Sequence, residues 1–279
     1  MSGQKIKLLL ADVDGTLVTQ DKVLTEQAIA ASRELHAADV TLALTSGRPP
    51  RGMSMLIEPL RLQGAIAGFN GGVFVKPDMS VIESHKLDLK TAKETLQLIL
   101  DQGLDAWLYT EKEWLIRDAK APHVARETWT VKFDAKVVSA FTDGQLADAV
   151  KIVGVSDDLD KVASCEKLAQ QKLGDRASAA RSQPYYLDVT NPEANKGGVV
   201  LMLAKLNKIQ PEEIATIGDM PNDVLMFRKS GLSIAMGNAS PEVQAQADLV
   251  TDSYDDEGFA KAIERSILHG ASPAPPEAS

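Results

Sequence analysis

The segment LLLADVDGTLV, residues 8–18, constrains the fold of this chain more than any other stretch. A continuous apolar run is typical of a strand that is buried on both faces of a parallel sheet, so a strand is predicted over residues 5–11. Two carboxylates, Asp12 and Asp14, follow this strand directly, and Gly15 comes next. Carboxylates repel each other at the end of a buried strand, which indicates a site that requires a cation.

Strand and helix patterns alternate in two parts of the chain. In the first part, Thr25 is a candidate N-cap for an amphipathic helix that lies between two predicted strands. After Lys196, a second amphipathic helix precedes further short apolar runs. The predicted strands of the two parts are residues 5–11, 40–48, 64–72, 214–219, 232–237 and 247–251. This alternation predicts an α/β fold with a doubly wound parallel sheet.

The segment between these two parts has a different pattern. Helices are predicted at 88–102 and 159–173, and an aromatic-rich hairpin is predicted around residues 111–113. Further strands are predicted at 148–157 and 183–190. Hairpins mixed with helices indicate an α+β module that is inserted into the first sheet.

The domain organisation predicted from these patterns is a discontinuous core, residues 1–83 and 189–270, with an inserted α+β module at 84–188. The ending, 271–279, is rich in Pro and Ala without an apolar period, so a disordered tail is predicted. Aromatic residues are scarce and cores need them, so we expect the three tryptophans of the insert to form its core, with stacking on a sugar as the alternative. These are Trp107, Trp114 and Trp129.

The composition restricts the classes of partner. The net charge is −9 and no basic run is present, so neither nucleic acid nor an anionic membrane is an expected partner. The single cysteine, Cys165, cannot form an intrachain disulfide, which suits a cytoplasmic location. No apolar run approaches 18 residues, and the short run that Asp12 ends lacks the features of a signal peptide. The oligomeric state stays open.

Five polar side chains stand where predicted strands end. Because the carboxyl ends of parallel strands share one edge of a sheet, we expect these side chains to converge. They are Asp12, Asp14, Ser46, Asn70 and Asp219. With Asp223, which follows closely, the crevice would hold several carboxylates that cannot all stay ionised without a cation. Oxygen ligands with no Cys or His nearby favour Mg²⁺ as the cofactor.

Each motif taken alone has a simpler interpretation. The pair Asp12 and Asp14 could be a turn or a solvated pair, and Lys196 could be a surface lysine. Asn70 with its two following glycines is typical of a turn, and Asp223 could stand at a helix N-terminus. The combination in this order, each at a strand end, favours a site over these separate interpretations.

The residue types suit phosphoryl transfer. One carboxylate of the pair Asp12 and Asp14 can attack phosphorus, and the other can protonate the leaving oxygen and then activate water. The Ser46 hydroxyl and the N–H groups around Gly47 can bind phosphoryl oxygens, and Lys196 can stabilise charge in the transition state.

The motifs together resemble the haloacid dehalogenase superfamily of phosphatases. The similarity is to the Cof-type, C2-capped branch, and to sucrose-phosphate and mannosyl-3-phosphoglycerate phosphatases. The matching motifs are DVDGT (12–16), LTSGR (44–48), NKG (195–197), GDMPND (218–223) and AMGNASPEVQAQADLVT (235–251). The resemblance implies a Rossmann-like core with a mobile cap, here 84–188, that selects the substrate. Departures are mild, since Ser46 replaces the commoner Thr and keeps the hydroxyl.

The resemblance also implies roles for individual residues. Asp12 would be the nucleophile that forms an aspartyl-phosphate, and Asp14 would be the general acid and base. Ser46 would bind the phosphoryl group, and Lys196 would hold the nucleophile and the phosphate.

The metal ligands follow from the same resemblance. Asp219 would bind Mg²⁺ together with the Asp12 carboxylate and the backbone carbonyl of Asp14. Asp223 would support the metal shell, and Asn222 would lie near the phosphate.

The predicted function is that of a Mg²⁺-dependent phosphatase acting on a small phosphorylated metabolite, with a sugar phosphate as the expected substrate. Arg48 and Asn70 are candidate substrate contacts. One alternative is a phosphotransferase or mutase that resembles the phosphomannomutases. The other is a non-catalytic protein that binds phosphorylated metabolites, and such a protein need not keep Asp12, Lys196 and Asp219 intact.

Overall fold

The structure is a computed structural model that describes residues 5–268, so the tail predicted at 271–279 lies outside the described residues. The chain divides into two compact units. The first comprises the described residues up to Ser46, Met55–Ile66 and the described residues from Asn195 onward. The second comprises Gly47–Ser54 and Ala67–Ala194. These bounds differ from the boundaries predicted at residues 83 and 189, and the division into core and cap stays a prediction.

The strands are short, and many of them are fully buried. They are β1 (Leu8–Asp12), β2 (Thr41–Thr45), β3 (Ile66–Gly68), β4 (Val73–Val75), β5 (Val81–Ser84), β6 (Asp105–Tyr109), β7 (Trp114–Ile116), β8 (Lys136–Val137), β9 (Lys151–Val155), β10 (Ser178–Gln183), β11 (Tyr186–Thr190), β12 (Ile214–Gly218), β13 (Leu232–Ala235) and β14 (Leu249–Val250).

The helices include several of only one turn. They are α1 (Glu26–Ala37), α2 (Ile57–Leu60), α3 (Leu89–Asp101), α4 (Val124–Val131), α5 (Asp143–Ala147), α6 (Leu159–Leu173), α7 (Lys196–Asn207), α8 (Val224–Phe227), α9 (Pro241–Gln244) and α10 (Gly258–Ala262). Short 3₁₀ turns include Pro50–Leu56 and Pro221–Asp223. No helix of residues 5–268 is long and apolar enough to cross a membrane.

Five parallel strands of the first unit lie in the order β14-β13-β12-β1-β2. Every residue of β1 and β12 is buried, which explains why both strands consist mainly of apolar residues. In the register, Leu8 pairs with Ile214 on one side and with Thr41 on the other. The predicted parallel sheet is therefore confirmed, and β1 lies between two neighbours with its carboxyl end at Asp12.

Helix caps in the first unit follow the sequence signals. The Thr25 hydroxyl accepts a hydrogen bond from the N–H of Ala28 at the start of α1, as predicted. The Asn195 side chain accepts one from the N–H of Gly198 and so fixes Lys196 as the first residue of α7. The cap thereby determines where the Lys196 side chain leaves the backbone.

The second unit contains a six-stranded sheet in the order β10-β11-β9-β6-β7-β8, antiparallel except for β7 with β8. Alternate residues point to opposite faces. One face is apolar, where Leu108, Ile152 and Leu187 lie in a buried cluster with Ile99 of α3 and Val162 of α6. The other face, called the polar face below, carries Trp107, Tyr109, Trp114, Lys151, Tyr186 and Asp188.

Most elements predicted for the second unit are confirmed. Helix α6 coincides with the predicted 159–173, and α3 agrees with 88–102 to within a residue at each end. The hairpin around 111–113 is formed by β6 and β7. Trp107 and Trp114 are buried as expected, each 1 % exposed.

Two expectations were wrong. Trp129 is 52 % exposed, with the Lys132 ammonium 4.5 Å from its ring centre, so it does not belong to the core. The strand predicted at 64–72 ends at Gly68, because Phe69 and Asn70 adopt left-handed backbone angles with φ of 53° and 57°.

Candidate active site

A buried lysine joins two carboxylates at the carboxyl edge of the first sheet. Asp12 ends β1, Asp223 lies in the 3₁₀ turn that follows β12, and Lys196 opens α7. The Lys196 ammonium lies 2.6 Å from Asp12 Oδ1 and 2.5 Å from Asp223 Oδ1. All three side chains are buried. The structure therefore brings together residues that are 184 positions apart in sequence.

Asp219 completes the cluster from the end of β12. Its Oδ1 accepts a hydrogen bond of 2.9 Å from the Thr16 hydroxyl, and its Oδ2 accepts one of 3.3 Å from Asn238 Nδ2. Asp223 Oδ2 accepts from the backbone N–H groups of Asp219 and Met220 at 3.0 and 2.8 Å. Both carboxylates are thus held by fixed donors, which limits their rotation.

Two glycines leave room for these carboxylates. A Cβ atom on Gly218 would lie 2.4 Å from Cγ of Asp223, and one on Gly15 would lie 2.6 Å from Asp219 Oδ2. Gly15 also has a φ of +82°, which side chains rarely adopt. The glycines of the DGT and GD motifs are therefore explained by close packing against the acidic cluster.

The acidic cluster fits a hard divalent cation. Carboxylate oxygens of Asp12, Asp219 and Asp223 all lie within 4.8 Å of one another. Every ligand atom is oxygen, the set that Mg²⁺ prefers. The side chain of Asp14 is not part of this group, and the contribution of its backbone carbonyl stays a prediction. The metal itself stays a prediction.

The protonation of the cluster reflects its surplus of negative charge. Burial raises the pKa of Asp12 from 3.8 to about 8, against the lowering effect of Lys196, and the carboxylates of Asp223 and Asp219 raise it further. Burial also raises the pKa of Asp219 to about 6. Burial disfavours the ammonium of Lys196, but the two carboxylates beside it outweigh this and raise its pKa. Without a further cation, three carboxylates facing one ammonium retain a proton near neutral pH.

Asp14, the predicted general acid and base, lies beside this cluster rather than within it. Its Oδ1 lies 2.5 Å from the ammonium of Lys22. Its Oδ2 is 3.5 Å from the hydroxyl of Ser46, which follows β2 and is buried. The predicted acid and base and the predicted phosphoryl-binding hydroxyl are therefore neighbours.

The remaining predicted residues have different positions. Asn222 is exposed and lies in the 3₁₀ turn after β12, next to the buried Asp223. Gly47, Arg48 and Asn70 belong to the second unit, where a Cβ on Gly47 would lie 3.7 Å from Asn70 Nδ2. Arg48 is buried, and its guanidinium donates a hydrogen bond to the carbonyl of Gly52. Their proposed contacts with phosphate or substrate stay predictions.

Three contacting residues were not predicted from the sequence. Thr16 lies within the DGT motif and Asn238 follows β13, so the position of each at a strand end was a usable signal. Asn238 also donates to the carbonyl of Gly15, which ties two strand ends together. Lys22 lies in a loop with no motif, and no local pattern identified it.

Comparison with known proteins agrees with this architecture. A family model described as haloacid dehalogenase-like hydrolase matches residues 9–263, and the chain belongs to this family. A solved structure of a haloacid dehalogenase-like hydrolase from Bacteroides thetaiotaomicron has a TM-score of 0.86 and 26 % identity. The match covers 93 % of this chain and 99 % of that one. The predicted family and fold class are confirmed.

Named relatives are similar over most of their length. A 5-amino-6-(5-phospho-D-ribitylamino)uracil phosphatase of Bacillus subtilis is 24 % identical, over 94 % of this chain and 98 % of its own. An HMP-PP phosphatase of Cronobacter sakazakii is 27 % identical, over 84 % of this chain and 85 % of its own. With the family match, these relatives support the prediction of a phosphatase enzyme.

Proposed function

We propose that this chain is a Mg²⁺-dependent phosphatase that hydrolyses a small phosphorylated metabolite, a sugar phosphate, through an aspartyl-phosphate. The observation that carries the proposal is the buried ammonium of Lys196 between Asp12 and Asp223, with Asp219 beside them. Both named relatives are phosphatases of small phosphorylated molecules.

The single cysteine, Cys165, buried and free, supports a cytoplasmic location.

The first half of the reaction uses both carboxylates of the DxD motif. Asp12 Oδ attacks phosphorus and forms an acyl-phosphate bond, while the bond between phosphorus and the ester oxygen breaks. Asp14 gives its proton to that oxygen, so the product leaves as a neutral alcohol. The Ser46 hydroxyl donates to a phosphoryl oxygen, and Lys196 offsets the charge that develops there.

The second half restores the enzyme. Asp14, now ionised, takes a proton from water as the water oxygen attacks phosphorus. The bond to Asp12 breaks, inorganic phosphate leaves, and both carboxylates return to their starting states. A Mg²⁺ ion held by Asp12, Asp219 and the backbone carbonyl of Asp14, with Asp223 in support, would neutralise phosphoryl charge and order the approach of the ester.

The polar face of the second unit supports a hydroxylated substrate. Lys151 pairs with Asp188 at 3.1 Å, and the Tyr109 hydroxyl donates to Glu127 at 2.6 Å. Within the described residues, the Tyr186 hydroxyl and Oδ1 of Asp188 are buried without a hydrogen-bond partner. Positive and negative groups are mixed here, which suits recognition of neutral hydroxyl groups more than of a second phosphate.

The decisive experiment is phosphate release from a panel of phosphorylated sugars and other metabolites, each with Mg²⁺ and with EDTA. We expect release that requires Mg²⁺ and favours a few sugar phosphates. A bisphosphorylated sugar is included, because isomer formation without phosphate release would replace the phosphatase by a mutase. Folded protein that binds Mg²⁺ and releases phosphate from no compound would refute the proposal.

A further inference from the structure

Lys22 makes a close ion pair with a predicted catalytic carboxylate although it lies outside every motif. Its ammonium is 2.5 Å from Asp14 Oδ1, and the two side chains are 19 % and 29 % exposed. The first unit contains another short lysine pair for comparison, Lys7 with Glu213 at 2.6 Å, in which the lysine is 52 % exposed. Lys22 is the more buried of the two lysines, and its carboxylate partner is a predicted proton donor.

The backbone of Lys22 is held in an unusual conformation. Its φ is 63°, in the left-handed region that costs energy for a residue with a side chain. The turn is fixed by hydrogen bonds from the N–H of Lys22 to the Thr19 carbonyl and from the N–H of Thr19 to the Val23 carbonyl. The Thr19 hydroxyl also accepts from the N–H of Val23. Left-handed non-glycine residues are enriched at functional sites, where the strain is offset by the surrounding structure.

The two oxygens of Asp14 have different neighbours. Oδ1 faces the Lys22 ammonium, whereas Oδ2 faces the Ser46 hydroxyl, which is the predicted phosphoryl ligand. A carboxyl group anchored through one oxygen presents the other in a fixed direction. When Asp14 is protonated, Oδ1 still accepts from the Lys22 ammonium, so the proton lies on Oδ2. We propose that Lys22 is a positioning residue that holds Asp14 so that Oδ2 meets the leaving oxygen of the ester, an inference that rests on the proposed phosphatase function.

The proposal has a chemical signature that depends on the leaving group. When the bond between phosphorus and an alkyl oxygen breaks, the alkoxide needs a proton from Asp14. A nitrophenolate leaves without that proton, because the ring stabilises its charge. Loss of Lys22 should therefore slow hydrolysis of alkyl phosphates far more than hydrolysis of p-nitrophenyl phosphate. A purely structural role would affect both substrates alike.

The test compares four variants of the full chain with saturating Mg²⁺, on p-nitrophenyl phosphate and on the sugar phosphate of the panel that the parent hydrolyses fastest. Both esters share the later hydrolysis of the aspartyl-phosphate, so the test compares kcat/KM, which reports the steps up to departure of the leaving group. For Lys22→Met we expect kcat/KM on the sugar phosphate to fall about tenfold to hundredfold, with kcat/KM on the nitrophenyl ester changed less than about threefold. Lys22→Arg should restore most of the rate because it keeps the charge. Lys7→Met is the matched control and should match the parent.

Lys22→Gly separates the side chain from the backbone. Glycine accepts the left-handed conformation freely, so the melting temperature should stay equal or rise while kcat/KM on the sugar phosphate falls as it does in Lys22→Met. Equal losses on both substrates, or Lys22 variants as fast as Lys7→Met, would overturn the positioning role. A parent protein that hydrolyses neither substrate would instead overturn the proposed function itself.

Discussion

Both units contain a buried lysine that pairs with carboxylates, and the two differ in charge balance. In the first unit, Lys196 faces Asp12 and Asp223 at once, with Asp219 in the same cluster. In the second unit, Lys151 pairs with Asp188, and its charge also acts on Glu127, whose pKa burial raises. The first arrangement has more negative than positive charge, so an added cation would offset the surplus. In the second, burial disfavours the charged form of Glu127, which lessens the negative charge around Lys151.

The aromatic rings around the second lysine strengthen this contrast. The Lys151 ammonium lies 5.4 Å from the ring centre of Phe69 and 5.2 Å from that of Tyr109. Ring faces attract a cation without adding formal charge. The second unit therefore stabilises its lysine partly through aromatic rings, and excess negative charge, rather than burial, distinguishes the predicted catalytic cluster.

The largest expected effect is on catalysis in the first unit. Asp12→Asn keeps the shape of the side chain but removes the nucleophile, so the rate of phosphate release should fall on the order of 10⁴-fold. Because burial already disfavours the charged form of Asp12, a neutral amide at this position should leave the melting temperature of the metal-free protein equal or higher. Rates are measured by phosphate release, with the exposed Asp256→Asn as control. Near-parent turnover by Asp12→Asn would rule out the covalent mechanism.

The two lysines can be compared directly by stability. Lys196→Met leaves buried carboxylates facing one another, so unfolding free energy should fall by about 3–5 kcal/mol. Lys151→Met removes one ion pair with a partly exposed partner, so the loss should be about 1–3 kcal/mol. Denaturant titration measures both. Equal losses, or a larger loss for Lys151→Met, would contradict the difference in charge balance.

Metal binding should be linked to protons in the first unit. The pKa of Asp12 is about 8 in the metal-free fold and 3.8 before folding. At pH values between these two, the folded state holds a proton that the unfolded state has lost. The free energy of unfolding of the metal-free protein should therefore decrease as the pH rises from about 4 to about 8. Mg²⁺ displaces that proton, so its affinity should rise with pH, by at most about tenfold per unit for one proton.

Calorimetry in buffers of different ionisation enthalpy measures this proton release. Asp12→Asn removes the titrating group and serves as the control, because its Mg²⁺ binding should depend less on pH. Mg²⁺ affinity that is the same at pH 6 and pH 8 would show that the cluster carries no extra proton.

The smallest effect distinguishes two tyrosines of the polar face. Tyr109→Phe removes the hydrogen bond that the Tyr109 hydroxyl donates to Glu127, a carboxylate whose pKa burial already raises. The free energy of unfolding should therefore fall by about 1–3 kcal/mol. Tyr186→Phe removes a hydroxyl that has no partner within residues 5–268, so stability should change by less than about 0.5 kcal/mol or improve. If instead Tyr186→Phe raises KM for a sugar phosphate, that hydroxyl contacts the substrate.

Local signals account for what the sequence predicts well. At the start of helix α6, the Asp158 side chain accepts a hydrogen bond from the N–H of Lys161, and Gly174 follows the last residue of the helix. The sequence therefore carries a signal for each end of this helix. The same holds for the acidic cluster. Asp12 and Asp219 each follow a buried apolar strand, and parallel topology alone brings such ends together.

Two kinds of feature were not predicted: contacts that a long side chain makes from a loop, and polar residues on one face of a sheet. Lys22 contacts Asp14 through a long side chain from a loop, and its position has no periodic signature. Strand β10, SAARSQ, has one buried residue and no apolar alternation, so no pattern marks it. The polar face was not predicted because Lys151 and Asp188 occupy ordinary alternate positions of strands whose other residues are mostly apolar.

The discontinuity of the first unit affects the order in which the chain can fold during synthesis. Strand β12 begins at Ile214, so β1 has only β2 as a strand neighbour until residues 214–218 have left the ribosome. The second unit ends at Ala194 and is complete earlier. Since domains fold as units while they emerge, we expect the second unit to fold first and the acidic cluster to be assembled last, when Asp219 and Asp223 follow Lys196 out of the ribosome.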